Sequence, residues 1–136
     1  MDRDIKTLDV MSKKNLEVLK GKSVCVVGAG GLGGYVIEML TRLGIGTIRN
    51  ADGDLFESSN LNRQLLSTEH NLGQSKVKEA CARMQNINSN VNCEIVDEAI
   101  ASDNIMDALV GVDIVIDCVD NLKTRYMMQD ACKSLN

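Results

Sequence analysis

Hydrophobic residues along this chain alternate between short β-branched runs and stripes with a spacing of three or four residues. The runs predict buried strands, and the stripes predict amphipathic helices. Gly44 is expected to end the second helix, and Ser102 is expected to cap the short fourth helix. The predicted strands are 23–27, 47–51, 91–96 and 113–119, and the predicted helices are 4–20, 32–43, 74–87, 102–110 and 121–134.

This alternation of strands and helices predicts an α/β fold. A strand, a helix and a second strand in succession usually form a parallel pair, since the helix returns the chain to the starting end of the sheet. We therefore expect a Rossmann-like, doubly wound, mainly parallel sheet with helices on both faces. We expect an N-terminal helical segment over 1–20 and one Rossmann-like domain over 21–136, truncated at its C-terminal end.

Charge and composition restrict the partners. The chain has 15 Lys and Arg against 19 Asp and Glu, a net charge of −4, and aromatic residues make up 2% of it. An acidic balance with few rings for base stacking argues against nucleic acid. No apolar run approaches the length of a membrane span, and the N-terminus lacks the apolar core of a signal peptide. We expect a cytoplasmic protein with no nucleic-acid partner and no membrane association.

The cysteines show no Cys-x-x-Cys spacing. They are Cys25, Cys81, Cys93, Cys118 and Cys132. Cys25 and Cys118 lie inside apolar runs, where a thiol acts as a small hydrophobic group. We expect buried, reduced thiols, with neither a zinc site nor a disulfide framework.

A glycine-rich loop lies between the first predicted strand and the second predicted helix. Gly28 permits a tight turn, and Gly33 lets the helix approach the strand. Gly30 and Gly31 let phosphate groups approach the backbone, where the helix N-terminus offers free N–H groups. The alternative is a structural turn that binds nothing. Four glycines in six residues disfavour that alternative, because each glycine costs conformational entropy.

Two aspartates follow the second predicted strand. Asp52 lies where a carboxylate can accept hydrogen bonds from both hydroxyls of a ribose. The alternative is a turn aspartate, because Asp-Gly is a common turn dipeptide. The glycine loop upstream favours the ribose role. Asp54 is a weaker candidate that either helps to bind metal or shapes the turn.

The segment 52–72 is polar and without hydrophobic periodicity, and so long a loop in a compact domain is usually functional or disordered. Its polar cluster consists of Ser59, Asn60, Asn62, Arg63 and Gln64, and Lys76 follows at the start of the third helix. These side chains can reach a triphosphate from the side opposite the glycine loop. A dehydrogenase that binds a dinucleotide has no use for them. Lys76 alone is more often a surface lysine, but Arg63 with two neighbouring asparagines is harder to explain without a ligand.

Another polar pair, Asp120 and Asn121, follows the fourth predicted strand. This is the carboxyl edge of the sheet, where ligands of such folds bind. A carboxylate there is well placed to hold Mg²⁺. The alternative is that Asp120 caps the last helix. Asp117 is interpreted as structural.

Five motifs occur in order along the chain. They are Gly-x-Gly-Gly-Leu-Gly at 28–33, Asp-x-Asp at 52–54, Ser-Asn-Leu-x-Arg-Gln at 59–64, Gly-x-x-Lys at 73–76 and Asp-Cys-x-Asp-Asn at 117–121. Together they resemble the ThiF/MoeB/HesA family, whose members are related to the ubiquitin-activating enzymes. The resemblance covers roughly residues 22–134.

The resemblance implies an adenylyltransferase with ATP and Mg²⁺ as cofactors. Members of the family adenylate the C-terminal glycine carboxylate of a small ubiquitin-like sulfur-carrier protein, in thiamine, molybdopterin or related sulfur-transfer routes. The resemblance also implies a homodimer. By position, the implied nucleotide-binding residues are Gly28, Gly30, Gly31, Gly33, Asp52, Asp54, Ser59, Asn60, Arg63, Gln64, Lys76 and Asn121. The implied catalytic residues are Arg63, Lys76 and Asp120, of which Asp120 is the magnesium ligand.

Two other classes of function stay open. The glycine loop and Asp52 would suffice for an NAD(P)-dependent oxidoreductase domain, although the polar cluster argues against it. A non-catalytic scaffold subunit of a two-chain activating enzyme is the other alternative. Many family members carry an Arg-Gln-Ile motif whose arginine reaches the ATP of the partner subunit, whereas this chain has only Arg3 upstream of the glycine loop.

Overall fold

The computed structural model describes residues 3–135. Residues 1, 2 and 136, which the predicted segment and domain include, lie outside the described residues. The strands are β1 (Ser23–Val27), β2 (Thr47–Ala51), β3 (Asn92–Val96) and β4 (Ile114–Asp117). The helices are α1 (Lys13–Lys20), α2 (Gly31–Leu43), α3 (Lys76–Ile87), α4 (Ile105–Leu109) and α5 (Leu122–Leu135).

All four strands are parallel, in the order β3-β2-β1-β4. Alternate residues of β1 divide the core into two layers, because successive side chains of a strand point to opposite faces. Val24 and Val26 pack with α2 and α3, and Cys25 and Val27 pack with α4 and α5. The predicted doubly wound α/β fold with helices on both faces is confirmed.

The edges of the sheet differ in character. Strand β3 carries Asn92 and Glu94, and the Glu94 carboxylate accepts a hydrogen bond of 2.7 Å from Arg49 Nε on β2. Strand β4 is Ile-Val-Ile-Asp, and Ile114 is 55% exposed. Within residues 3–135 no strand lies beside β4 on the side away from β1. One edge is therefore polar and the other is apolar.

The first predicted helix is wrong in its N-terminal half. A single 3-10 turn at Thr7–Asp9 precedes α1, which begins only at Lys13. The Ser12 side chain accepts a hydrogen bond of 3.2 Å from the Asn15 backbone N–H, so Ser12 caps the helix. The apolar spacing of residues 5–11 resembles a helix, but Leu8 and Val10 are exposed and contribute no packed stripe.

The ends of the other helices agree more closely with expectation. Gly44 ends α2 with a φ of 85°, as predicted. The cap of α4 was predicted at Ser102 and is wrong, since Asn104 precedes the helix. The Asn104 side chain accepts from the Ala101 N–H at 2.9 Å and donates to the Ala99 carbonyl at 2.9 Å. These two hydrogen bonds shape the turn before α4 and leave Ser102 exposed.

The cysteines are not all reduced thiols. Cys81 of α3 and Cys93 of β3 form a disulfide, with Cα atoms 5.8 Å apart. The expectation was wrong for this pair because α3 packs directly over β3, a proximity that no sequence spacing reveals. Cys25, Cys118 and Cys132 are free thiols. Burial raises the pKa of the Cys25 thiol to about 11, so that this group stays protonated as expected.

Among residues 3–135, no helix has both the length and the apolar character that crossing a bilayer requires.

Candidate active site

A cavity of about 500 Å³ lies at the carboxyl ends of the strands. The chain leaves β1 towards β2 on one side and reaches β4 on the other, so the gap between β1 and β4 is a topological switch point. Most of the predicted site residues line this one cavity. They are Gly28, Gly30, Gly31, Asp52, Asp54, Arg63, Gln64, Lys76, Asp120 and Asn121.

The glycine loop forms the floor of the cavity by close backbone approach. Gly28 has a φ of +99°, and a Cβ there would lie 2.6 Å from the Cys118 carbonyl oxygen. A Cβ at Gly33 would overlap the Gly28 carbonyl. Gly33 is buried and does not line the cavity, so it acts through helix packing. The start of α2 is thereby held against the ends of β1 and β4, with its free N–H groups next to the cavity.

The Asp52 carboxylate links the end of β2 to the glycine loop. Its Oδ2 accepts a hydrogen bond of 2.8 Å from the Ala29 N–H, and its Oδ1 accepts one of 2.8 Å from the Asp54 N–H. Each oxygen keeps a further lone pair for a ligand. Asp52 is therefore oriented before any ligand arrives.

Lys76 is the first residue of α3, and its side chain is only 6% exposed. Its Nζ lies 3.2 Å from the Asp54 Oδ2, and its backbone N–H donates to the Asp54 carbonyl at 3.1 Å. A bridge between Leu55 and Ser75 holds the two segments together. The ammonium group is buried beside one carboxylate, which compensates its desolvation. Asp54 is thus one of the residues that place the Lys76 charge.

Arg63 and Gln64 face the glycine loop from the long polar loop. Arg63 Nη1 donates to the Ser59 carbonyl at 3.0 Å and to the Asn62 Oδ1 at 2.9 Å. Gln64 is 7% exposed, and its Oε1 is buried without a hydrogen-bond partner among the described residues. Gln64 contacts Gly30, where an added Cβ would lie 3.4 Å from its amide nitrogen.

Ser59 and Asn60 do not line the cavity. Asn60 is buried, and its Oδ1 accepts a hydrogen bond of 2.9 Å from the Glu57 N–H in a capping box. The Ser59 hydroxyl donates to the Glu57 carboxylate at 3.4 Å. Both residues shape the turn that presents Arg63, and their contact with phosphate stays a prediction.

Asp120 and Asn121 follow β4, and the two roles considered for Asp120 were magnesium binding and capping of α5. Asn121 caps α5, since its Oδ1 accepts from the Thr124 N–H at 2.9 Å. Asp120 is exposed in the cavity wall and has no hydrogen-bond or ion-pair partner among residues 3–135. The described residues contain no group of three or more His, Cys, Asp or Glu arranged to hold a metal. A lone free carboxylate suits Mg²⁺ that arrives with phosphate oxygens and water as its other ligands.

Arg125 contributes to the site and was not predicted from the sequence. Arg125 donates from Nε to the Asp117 Oδ2 at 2.6 Å and from Nη2 to the Val119 carbonyl at 3.2 Å. The Asp117 Oδ1 accepts from the Val119 N–H at 3.1 Å. These bonds fix the turn that carries Asp120, so Asp117 has the structural role expected. The signal for Arg125 was its position one turn into a helix that follows an acidic motif.

The apolar wall of the cavity was also missed. It includes Ile100, Val119 and Cys118. Burial, and secondarily the Asp117 charge, raise the pKa of the Cys118 thiol, so that it lines the floor as a neutral group. Arg3 lies elsewhere: its Nη1 donates to the Ile87 carbonyl at 3.4 Å, beside Gly44 and Gly46 at the opposite end of the sheet.

Comparison with curated proteins gives partial matches. The Mus musculus adenylyltransferase and sulfurtransferase MOCS3 is 42% identical over 114 residues, which cover 84% of this chain and 25% of the mouse protein. The SAMP-activating enzyme E1 of Haloferax volcanii is 36% identical over 115 residues, which cover 85% of this chain and 43% of the archaeal protein. The chain thus spans 25% of the length of the mouse relative and 43% of the length of the archaeal relative.

Solved structures share the fold over nearly the whole chain. The Escherichia coli tRNA N6-threonylcarbamoyladenosine dehydratase TcdA, in complex with ATP, has a TM-score of 0.94 at 30% identity, covering 98% of this chain and 55% of that one. E. coli MccB with MccA-N7isoASN has a TM-score of 0.82 at 26% identity, covering 89% and 35%. The sequence model of the ThiF family matches residues 1–136, and the chain therefore belongs to the ThiF family.

Proposed function

We propose that this chain is the nucleotide-binding part of an ATP-dependent adenylyltransferase. Its acyl substrate is the C-terminal glycine carboxylate of a small ubiquitin-like sulfur-carrier protein. The observation that carries the proposal is that Arg63, Lys76 and Asp120 share one cavity with the glycine loop. Two cations and a free carboxylate beside a phosphate cradle suit a magnesium-bound triphosphate. The related MOCS3 is named an adenylyltransferase and sulfurtransferase, and the archaeal relative is named a SAMP-activating enzyme E1.

The chemistry needs positioning more than covalent help. An oxygen of the substrate carboxylate attacks the α-phosphorus of ATP, an O–P bond forms, and the bond to pyrophosphate breaks. The attacking group is already ionised near neutral pH, so no general base is required. Arg63 and Lys76 would offset the charge that builds on the phosphate oxygens. Asp52, which is hydrogen-bonded to the glycine loop, would hold the ribose.

Asp120 is proposed as the protein ligand of Mg²⁺, which supplies charge neutralisation on the phosphates when bound. The support is geometric: Asn121 takes over the capping of α5, and the Asp120 carboxylate stays free in the cavity wall. The turn that carries it is fixed by Arg125, so the carboxylate needs little reorganisation to bind an ion.

The first test is calorimetric titration of the chain with ATP·Mg²⁺, and separately with NAD⁺ and NADH. Binding of ATP that requires Mg²⁺ is expected. Asp120→Ala should weaken it by about tenfold or more, since the ion loses its protein ligand. Asp103→Ala, an exposed aspartate away from the cavity, is the matched control and should bind as the unmodified chain does. Binding of NAD⁺ or NADH without ATP would instead make this an oxidoreductase domain.

Adenylation itself is tested by pyrophosphate exchange with candidate carriers. Exchange that depends on the carrier's terminal glycine supports the proposed substrate. ATP binding without exchange would favour the scaffold alternative. Exchange driven by tRNA would favour a role like that named for TcdA, against which the net charge of −4 argues. We also propose a homodimer in the cytoplasm, which sedimentation of the chain and cell fractionation would test.

A further inference from the structure

The start of α3 is tied to the end of β3 through a side-chain hydrogen bond. Ser75 is the N-cap of α3, where its Oγ accepts from the Lys78 N–H at 3.4 Å. The same hydroxyl donates to the Asp97 Oδ1 at 2.7 Å. Asp97 is the first residue after β3. The polar cap of one helix is therefore anchored on the carboxyl edge of the sheet.

Asp97 has a second partner in the same turn, and this one is cationic. The Lys78 Nζ lies 2.9 Å from the Asp97 Oδ2, so one carboxylate binds two residues of the first turn of α3. The Ser75 hydroxyl and then the Lys78 ammonium lower the pKa of the Asp97 carboxyl below its usual range. Asp97 is therefore ionised at neutral pH and accepts both bonds as a charged group.

Lys76 lies between these two anchored residues. On the other side of the turn, the Leu55–Ser75 bridge and the Asp54 carbonyl hold the same backbone. The Lys76 side chain is almost fully buried and lines the cavity, so a shift of the helix start would shift the ammonium with it. Where the ammonium sits is set by where residues 75–78 sit.

We infer that Asp97 is a positioning residue for Lys76. Asp97 does not line the nucleotide cavity, and among the described residues its side chain binds Ser75 and Lys78. Through that link it holds the first turn of α3 so that the Lys76 charge is ready for phosphate oxygens. The inference rests on the proposed binding of ATP in this cavity. A preorganised charge stabilises phosphate more than a mobile one, because no reorganisation accompanies binding.

The experiment measures ATP·Mg²⁺ affinity in a double-mutant cycle of Asp97→Ala and Lys76→Ala. Asp97→Ala should weaken ATP·Mg²⁺ binding about three- to tenfold. In the Lys76→Ala background the same change should have no further effect. Adenosine, which has no phosphate, should bind equally to Asp97→Ala and to the unmodified chain, measured by ligand-observed NMR. A general loosening of the fold would weaken adenosine as well and would overturn the inference.

A conservative variant separates the hydrogen bond from the charge. Asp97→Asn keeps an acceptor for the Ser75 hydroxyl and should bind ATP·Mg²⁺ within about twofold of the unmodified chain. Asp103→Ala is again the control for removing an acidic residue. If the unmodified chain binds ATP·Mg²⁺ and Asp97→Ala binds equally well, the positioning role is wrong while the proposed function stands. If the unmodified chain binds no ATP, both are wrong.

Discussion

At the scale of single residues, two buried asparagines show how differently polar groups are accommodated. Asn50 is fully buried, its Oδ1 has no partner among the described residues, and its Nδ2 lies 3.3 Å from the sulfurs of Met84 and Cys93. Asn71 is also buried, but its Nδ2 donates to the Leu66 carbonyl at 2.8 Å and its Oδ1 accepts from the Thr68 N–H at 2.8 Å. The Asn50 amide therefore lacks an oxygen or nitrogen hydrogen-bond partner among the described residues, whereas the Asn71 amide has partners for both its oxygen and its nitrogen.

This contrast predicts that replacement by leucine destabilises the fold at position 71 but not at position 50. Asn50→Leu should leave the free energy of unfolding unchanged or raise it by about 1 kcal/mol, because it removes an unsatisfied polar group of similar size. Asn71→Leu should lower it by about 2 kcal/mol, because it leaves a buried carbonyl and N–H without partners. Urea unfolding at neutral pH measures both. A loss on Asn50→Leu as large as that on Asn71→Leu would contradict the prediction.

Two glycines of the glycine-rich loop are also expected to differ in the effect of one substitution. Gly33→Ala should abolish folding or cost more than about 3 kcal/mol, since its Cβ would overlap the Gly28 carbonyl and only backbone movement could relieve that. Gly31 lies in α2, and the nearest atom to its added Cβ is Arg63 Cγ at 3.9 Å. Gly31→Ala should leave stability about unchanged, since Gly31 is the first residue of α2, where the helix-propensity gain of an interior position is not expected. Thermal melting followed by circular dichroism measures the stability of both variants. An equal loss of stability in Gly33→Ala and Gly31→Ala would contradict the prediction.

At the scale of elements, Glu38 joins two helices. It accepts hydrogen bonds from Arg42 on its own helix α2, at 2.7 Å, and from Arg83 on α3. The Arg83 hydrogen bond lowers the pKa of the Glu38 carboxyl, against an opposing effect of its burial. The ion pair is partly open to solvent, so its contribution is modest.

The direction of that pKa shift sets a pH dependence. A lowered folded-state pKa stabilises the fold above the unfolded value of about 4.3, and this stabilisation is lost as the pH falls through the folded-state value. Glu38→Gln should therefore lower stability by about 1 kcal/mol at pH 7, with the difference closing below about pH 4. Glu17→Gln, in an exposed pair with Lys20 on α1, is the control and should cost a few tenths of a kcal/mol. If the difference in unfolding free energy between Glu38→Gln and the unmodified chain stays constant with pH, the stabilisation does not come from the ionised Glu38 carboxylate.

Elements could be predicted where a local pattern decides them. The apolar run of β1, the turn at Gly28, the close approach at Gly33 and the helix end at Gly44 depend on a few neighbouring residues, and these structural predictions are confirmed. Ser102 and Asn104 are both good capping residues, but the Asn104 side chain binds the Ala99 carbonyl and the Ala101 N–H before α4 and caps no N–H of that helix. The sequence alone does not show which of these backbone groups is free.

At the scale of the whole molecule, the candidate site collects residues from widely separated segments at one switch point. The strand order predicts where the cavity lies, and the motifs predict most of its polar wall. The sequence could not predict the Cys81–Cys93 bond or the Ser75–Asp97 link. Both depend on how α3 lies over β3, and that packing is set by tertiary contacts rather than by local spacing.

The apolar edge of β4 makes the behaviour of this chain depend on its surroundings. A strand with unpaired N–H and C=O groups is a template to which another extended segment can add, and apolar side chains strengthen that tendency. Each edge strand carries one charged residue, and both are bound to an arginine: Glu94 to Arg49 and Asp117 to Arg125. Strand β4 has no counterpart of the exposed Asn92 of β3, and its Ile114 is exposed. Crowding and high concentration would therefore favour strand exchange or aggregation through β4, while a covering segment would suppress both.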